Sequence, residues 1–332
     1  MSEQFKALLV EQPEKKTFTR SMVTRSLDDL PEGDLVMRVD WSSLNFKDAL
    51  SATGHPGVTR GFPHTPGIDA AGSVVSDTSG RFKPGDEVLV TGFDLGMETD
   101  GGFGQMIRIP AEWAVPMPDG LSARESMIYG TAGFTAALSV WKMAANGVTP
   151  EQGEILVTGA TGGVGSVAVA ILAKAGYQVV AATGKASEAA FLKTLGAAEV
   201  ISRDAVLEGA ERPMLKERWA GVIDCVGGDT LVAAIKATRY GGTVTCCGLV
   251  GSIDLNVNVY PFILRGVSLL GIDSVQCPMT PRLAVWEKLA NDWKLPQLET
   301  LAEECSLDGL EEKISAILQG QLKGRTIVNL NA

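Results

Sequence analysis

The stretch that most limits what this chain can fold into is Ile155 to Gly176, "ILVTGATGGVGSVAVAILAKAG". Ile155 to Thr158 reads as an apolar strand, Gly159-Ala160-Thr161-Gly162-Gly163-Val164-Gly165 as a tight turn, and the following apolar run as a helix ending near Gly176. Glycines in such a turn let the backbone approach a pyrophosphate, and the helix N-terminus adds N–H groups and a partial positive charge. The pattern predicts dinucleotide binding at Thr161, Gly162, Gly163, Val164 and Gly165. A structural glycine turn is the alternative; the strand and helix on either side, inside a longer βαβ series, favour the nucleotide.

The end of the next strand indicates which dinucleotide. An acid there would bind the ribose 2′-hydroxyl of NAD and repel a 2′-phosphate. In "VVAATGKASE" that place holds Thr183-Gly184-Lys185. The absent acid and present cation predict NADPH, with Arg203 in "VISRD" as a second cation or an ordinary solvated arginine.

From Glu154 onward strands alternate with helices, as in a doubly wound parallel sheet. Strands are expected at "EILVTGA", "QVVAAT", "AEVIS", "GVIDCVG", "GTVTCCG" and "VSLLGIDS", with helices starting near Gly163, Ser187, Asp229 and Phe262. Before Ser122 the chain reads instead as short strands punctuated by Pro and Gly, a mainly β domain. The tail after Ser274 has no further parallel strand of that sheet to pair with and is expected to return to the first domain. The predicted fold is α/β, with residues 1–123 and 276–332 in a β domain and 124–275 in a dinucleotide-binding domain; 332 residues exceed what one core usually serves.

A formal charge of −10 argues against nucleic-acid or anionic-membrane partners, whose binding is driven by Lys and Arg. No apolar run approaches the roughly 18 residues of a membrane span, and Met1 to Val10 has no leader pattern, so cytoplasm is the expected location. The five cysteines, Cys225, Cys246, Cys247, Cys277 and Cys305, are uneven in spacing and read as buried free thiols.

Together these features resemble the medium-chain dehydrogenase/reductase superfamily, in which a GroES-like β domain precedes a Rossmann domain and reclaims the C-terminal tail. The zinc members of that family carry a cysteine where "SSLNFKDAL" has Asn45, and the histidine of a G-H-E motif where "HTPGIDAAGSV" has Ile68. With two histidines in all, His55 and His64, and no cysteine before Cys225, no catalytic or structural zinc site is expected. Asn45-Phe-Lys-Asp48, Pro66-Gly-Ile-Asp-Ala-Ala-Gly72 and Gly130-Thr-Ala-Gly-Phe-Thr-Ala136 match the zinc-independent branch. "WSSLNFKDALSATG", "GVIDCVGG" and "YPFILRGVSLLGIDSV" are more narrowly similar to the bacterial NADPH-dependent acrylyl-CoA reductases.

That resemblance implies reduction of acryloyl-CoA to propanoyl-CoA: hydride adds to the β-carbon, charge moves into a thioester enolate, and the α-carbon is protonated. A conjugated acceptor supplies its own electron sink and so needs less help than a ketone. The resemblance places Asn45 and Lys47 as the catalytic pair. Asn45 would donate to the thioester carbonyl or bind the nicotinamide ribose, while Lys47 stands where zinc relatives carry a proton-relay hydroxyl; a turn-capping Asn45 and a solvated Lys47 are the plain alternative. Asp48 and Asp69 are expected to brace the backbone. Further cofactor contacts are expected at Thr131, Leu249, Ile263 and Ser274, with Arg325 reaching a phosphate. The loop "SATGHPGVTRG" lacks the tyrosine acid of some enoyl-thioester reductases, leaving water and His55 as proton donors. The CoA phosphate has Arg60 or Lys323 as candidates, and the family implies a homodimer through the edge strand "VSLLGIDS". The competing readings are an NADPH:quinone oxidoreductase and a non-catalytic NADPH-binding protein.

Overall fold

The computed structural model describes residues 3–332 and divides into two compact units. The first comprises Met1–Thr131, Val275–Ala290 and Leu298–Ala332, and the second Ala132–Ser274 and Asn291–Gln297. The first boundary therefore falls at 131/132 rather than 123/124. The helix α2 (Ala123–Ala145) is broken at Gly130, whose φ of 51° and ψ of −160° are not helical, and Thr131 is held by hydrogen bonds to Asp69 of the first unit.

The N-terminal part of the first unit supplies β1 (Gln4–Glu14), β2 (Thr17–Ser26), β3 (Leu35–Leu44), β4 (Asp69–Asp77), β5 (Glu87–Thr91), β6 (Met106–Ile109) and β7 (Val115–Pro116), with α1 (Phe46–Ala52) after β3. The second unit supplies β8 (Glu154–Val157), β9 (Gln178–Thr183), β10 (Glu199–Ser202), β11 (Trp219–Asp224), β12 (Thr238–Cys246) and β13 (Ser268–Gly271). The tail adds β14 (Ala302–Ser306) and β15 (Arg325–Asn329) to the first unit.

In the second unit all six strands run parallel in the order β10-β9-β8-β11-β12-β13. The order reverses at β8, so the crevice beyond the carboxyl ends of β8 and β11 is the place where such sheets bind ligands. The strands are apolar runs because both faces of a parallel sheet are covered. Leu156, Val180, Val222 and Val244 are accordingly buried in one core with Leu231 and Ile235. The helix α3 (Gly163–Lys174) follows the β8 loop directly.

In the first unit β1 and β2 form a separate hairpin. The main sheet runs β14-β15-β3-β4-β5-β7, with β6 also pairing β3. The tail thus returns to the first unit, and β14 and β15 pair parallel with each other before β15 joins β3 antiparallel. Leu35, Met37 and Val39 from β3, Val88 and Val90 from β5, and Val328 from β15 share the core of this unit. Among the described residues no helix is long and apolar enough to cross a membrane.

Candidate active site

The β3–α1 junction of the first unit is organised around one buried carboxylate, that of Asp69 at the start of β4. Its Oδ1 accepts the Thr131 hydroxyl at 2.6 Å and the Thr131 N–H at 3.0 Å. Its Oδ2 accepts the Ser43 hydroxyl at 2.5 Å and the Asn45 amide at 2.7 Å, while the Ser42 hydroxyl donates to the Asp69 carbonyl at 2.7 Å. The guanidinium of Arg325, on β15, closes the cluster. It donates to the Ile128 carbonyl at 2.9 Å and the Ser43 hydroxyl at 2.9 Å, and stands 4.0 Å from Asp69. A buried carboxylate is tolerable only with this density of donors and a paired cation.

The cluster requires glycine at position 130. A Cβ there would lie 2.4 Å from Ser43 Oγ, 2.6 Å from Asp69 Oδ2 and 2.8 Å from Arg325 Nη2, in a backbone conformation that L side chains rarely adopt. The Gly130-Thr131 step of the sequence motif thereby lets the chain pass over Asp69 and bind it with Thr131.

Asp48 fixes α1 in the same region. Its Oδ2 accepts the Asn45 backbone N–H at 2.7 Å and its Oδ1 the Ile68 N–H at 2.7 Å, tying the helix start to the loop before β4. Burial and the nearby Asp69 push the Asp48 carboxyl up to about 7, against the pull of these N–H donors.

Asn45 is engaged inside this cluster. One amide proton points at Asp69 and Nδ2 also lies 3.2 Å from Asp48, while its oxygen accepts from Arg325 Nη1 at 3.4 Å. In this conformation both the amide nitrogen and the oxygen of Asn45 are engaged within the junction. Arg325 lies within the first unit, 3% exposed, donating to the Ile128 and Leu44 carbonyls and the Ser43 hydroxyl. Lys47, half-buried, is the second residue of α1. His55 is exposed, its Nδ1 accepting the Gly57 N–H at 3.2 Å. Arg60 and Lys323 are exposed as well.

At the position of the zinc-family histidine, Ile68 is buried among core residues, and Asn45 is an amide already bound to a carboxylate; neither suits a metal ligand. His64 is a separate, structural histidine. Its Nε2 lies 2.7 Å from the Ser51 hydroxyl, which also meets Thr59 at 2.7 Å and the Gly96 carbonyl at 3.1 Å. Burial, with Arg25 nearby, pushes His64 down to about 4.

In the second unit the β8 loop has the shape a pyrophosphate needs. Gly162 stands before the first turn of α3 with no side chain over it, and a Cβ at Gly165 would lie 2.4 Å from the Gly159 carbonyl. The first-turn N–H groups of a helix lack intrahelical acceptors, which leaves them for an anion. Thr161 and Thr183 are buried with their hydroxyls 3.2 Å apart, and the Lys185 N–H donates to the Thr183 hydroxyl at 3.0 Å.

Beside them a cavity of about 350 Å³ is lined by Thr183, Gly184, Ser202, Arg203 and Asp204 among others. The Arg203 guanidinium lies over Gly184, 2.2 Å from where a Cβ would stand. The Lys185 and Arg203 of the sequence are thus brought to neighbouring positions. Ser274 is buried and takes a 2.8 Å hydrogen bond from Thr135, whereas Leu249 and Ile263 are 58% and 68% exposed. The cysteines depart from the expected burial: only Cys277 is buried, and the other four are half-buried.

Sequence reasoning did not single out Ser43 or the dependence of the cluster on Gly130. Two serines, Ser42 and Ser43, inside a strand that is otherwise mostly apolar were the available signal.

Comparison with known proteins agrees with this geometry. The alcohol dehydrogenase GroES-like domain family matches residues 31–119, and the zinc-binding dehydrogenase family matches residues 163–291. The putative quinone oxidoreductase YhfP of Bacillus subtilis is 49% identical over 308 residues, 92% of this chain and 93% of that one. The chain belongs to the medium-chain dehydrogenase/reductase family. Within this family, the acrylyl-CoA reductase AcuI of Ruegeria pomeroyi is 44% identical over 329 residues, 99% of this chain and all of its own length (100%). The crystal structure of the yhdH oxidoreductase from Salmonella enterica in complex with NADP superposes with a TM-score of 0.95, at 44% identity over 98% of this chain and 99% of that one. That of B. subtilis yhfP with NAD bound gives 0.96, at 47% identity over 99% and 100%. The zinc in the name of one matching family does not extend to the ligand positions, which here hold Asn45 and Ile68.

Proposed function

We propose that this protein is a cytoplasmic, zinc-independent reductase that uses NADPH to reduce the conjugated C=C bond of acryloyl-CoA to propanoyl-CoA. The observation that carries this reading is the end-to-end likeness to AcuI of Ruegeria pomeroyi, at 44% identity over 99% of the chain. The dinucleotide loop of the second unit and a first-unit site stripped of metal ligands are consistent with it. NADPH is favoured over NADH because Arg203 lines the cavity at the end of β9, and Lys185 rather than an acid follows the Thr183-Gly184 of that lining; Asp204, on the same lining, is the one opposing charge.

The cofactor, when bound, supplies the hydride. The chain's own part is to orient, exclude water and steady charge. The β8 loop and the first turn of α3 would hold the pyrophosphate, and Thr183, Gly184, Lys185 and Arg203 the ribose phosphate. In the first unit the Asp69–Arg325 cluster fixes the β3–α1 junction, so that Lys47 enters α1 in one orientation. With the Asn45 amide spent, we assign to Lys47 the steadying of negative charge on the enolate oxygen. Thr131 gives its hydroxyl proton to Asp69 and so meets a ligand as an acceptor. The two units act as substrate and cofactor domains. The strand β13 lies at the edge of its sheet with Ile263 and Leu264 exposed nearby. A homodimer pairing this edge fits both features, and light scattering of the purified protein tests it.

A quinone oxidoreductase is the second reading, favoured by the 49% identity to YhfP. Steady-state NADPH and NADH oxidation with acryloyl-CoA, crotonoyl-CoA and a benzoquinone separates the two. The expected result is highest kcat/KM for acryloyl-CoA with NADPH, falling in kcat with Lys47→Met. A benzoquinone rate far above the acryloyl-CoA rate overturns the first reading, and tight NADPH binding without any turnover would make the protein a non-catalytic binder.

A further inference from the structure

Three thiols of the second unit stand outside the proposed reaction. Cys225 follows β11, and Cys246 and Cys247 close and follow β12. Asp224 and Cys246 are register partners on these parallel strands, so Cys225 and Cys247 come next to each other. Their sulfur atoms are 4.0 Å apart. Both are half-buried, and the Cys247 backbone N–H, donating to the Asp224 carbonyl at 3.0 Å, keeps the two strand ends in register. Neighbouring strands lie about 4.8 Å apart, which falls within the Cα separation of roughly 4.4 to 6.8 Å that a disulfide spans.

We propose that Cys225 and Cys247 are a thiol-oxidation site: a small disulfide such as oxidised glutathione joins them reversibly, and the closed form binds the dinucleotide more weakly. One cysteine thiolate attacks a sulfur of oxidised glutathione, forming a mixed disulfide and releasing one reduced glutathione. The second cysteine thiolate then attacks the protein sulfur of that mixed disulfide and displaces the other glutathione. The protein pair loses two electrons and two protons, and these appear in the two glutathione thiols.

The effect on binding follows from what Cys225 touches. Its Cβ lies 3.5 Å from the Cβ position of Gly159, at the head of the pyrophosphate loop. Its carbonyl carbon lies 1.9 Å from the Cβ position of Gly248, so that loop can run there only as bare backbone. The Cys225 N–H donates to the Thr158 hydroxyl at 3.0 Å, and that hydroxyl donates to Asp224 at 2.7 Å. Closing the gap between the sulfurs from 4.0 Å to about 2 Å moves atoms packed against the turns after β8 and β12. Its hydrogen bond with Cys247, then its burial, raise the Cys225 thiol above its ordinary range, which keeps that thiol protonated and makes closure slow.

The binding consequence rests on assigning the β8 loop to the dinucleotide, so the experiment reads the bond and the binding separately. The whole protein is equilibrated with mixtures of reduced and oxidised glutathione, alkylated and mapped by mass spectrometry. NADPH affinity is measured in parallel by fluorescence, before and after reduction with dithiothreitol. The expected result is a Cys225–Cys247 cross-link lighter by two hydrogens and a Kd for NADPH raised on the order of tenfold, the usual size of coupling between two sites. Reduction should reverse the shift, and Cys247→Ser and Cys225→Ser should each abolish it. Mixed disulfides without a cross-link, or a cross-link that leaves the Kd unchanged, overturn the proposal. Reduced protein that fails to bind NADPH would instead count against the cofactor assignment, with the mapped cross-link still deciding whether the oxidation site exists.

Discussion

Replacing Gly130 by alanine tests the account of the first unit most directly. The new methyl would meet Ser43 Oγ at 2.4 Å, Asp69 Oδ2 at 2.6 Å and Arg325 Nη2 at 2.8 Å, while the backbone stayed at a φ of 51°. The strained conformation costs about 1–3 kcal/mol. Crowding in a close-packed interior adds about 1–3 kcal/mol, and the loss of one hydrogen bond to a charged group about 1.5–3 kcal/mol. Together Gly130→Ala should cost about 4–9 kcal/mol, a large share of a typical stability.

Gly320, also in the first unit, has a φ of +66° but nothing within 4 Å of its Cβ position, so Gly320→Ala isolates the backbone contribution at about 1–2 kcal/mol. The assay is urea unfolding read by hydrogen exchange in peptides covering β3 and β4, which follows this unit by itself. Adding Ser43→Ala to Gly130→Ala removes the nearest clash and should recover about 1–2 kcal/mol in a double-mutant cycle. Equal losses for Gly130→Ala and Gly320→Ala, or no coupling between positions 43 and 130, would refute the crowding argument.

Two further outcomes are expected. The His64 pKa is about 4 when folded, against 6.5 ordinarily, so the unfolded chain takes up the proton first. The stability from neutral His64 is complete above pH 6.5 and is lost as pH falls toward 4, by about 3 kcal/mol. Asp48, raised from 3.8 to about 7, has the opposite sign: its cost is fully present above pH 7 and is relieved as pH falls toward 3.8. Urea midpoints of wild type and His64→Asn should therefore converge between pH 7 and pH 4, and a constant difference would sink the assignment. For the cofactor, Arg203→Ala and Lys185→Ala should each raise the KM for NADPH by about tenfold, the worth of one charge-assisted hydrogen bond, and leave NADH unchanged. A matching loss with NADH would place both cations away from the 2′-phosphate.

The second unit was the more legible half of the chain. Its parallel strands are buried on both faces and appear as short apolar runs, so Ile155–Val157 and Val179–Ala182 announce themselves. β2 was not anticipated, because no residue of Thr17–Ser26 is fully buried and its pattern carries little contrast. β14 was missed for a related reason: "AEECS" is acidic and has no fully buried residue, and its pairing partner is β15. The candidate site was legible in residue type but not in allegiance. The motif singles out Asn45, yet its amide donates to Asp69, 24 residues away, and Arg325 reaches the same cluster from 280 positions beyond Asn45. Sequence shows which groups a chain owns; only the fold shows which of them are already engaged.

The place of β15 in the first sheet also sets an order of events during synthesis. The strand lies between β14 and β3, and it brings Arg325, the cation of the buried Asp69 cluster. A ribosome that has finished Ser274 has released every strand of the parallel sheet, and that sheet has its full complement of strands. The first unit at that point still lacks β14, β15 and the Arg325 counterion, which come later in the chain. β3 and β4 therefore wait, through the synthesis of the whole parallel sheet, with an unfilled sheet edge and an unpaired acid.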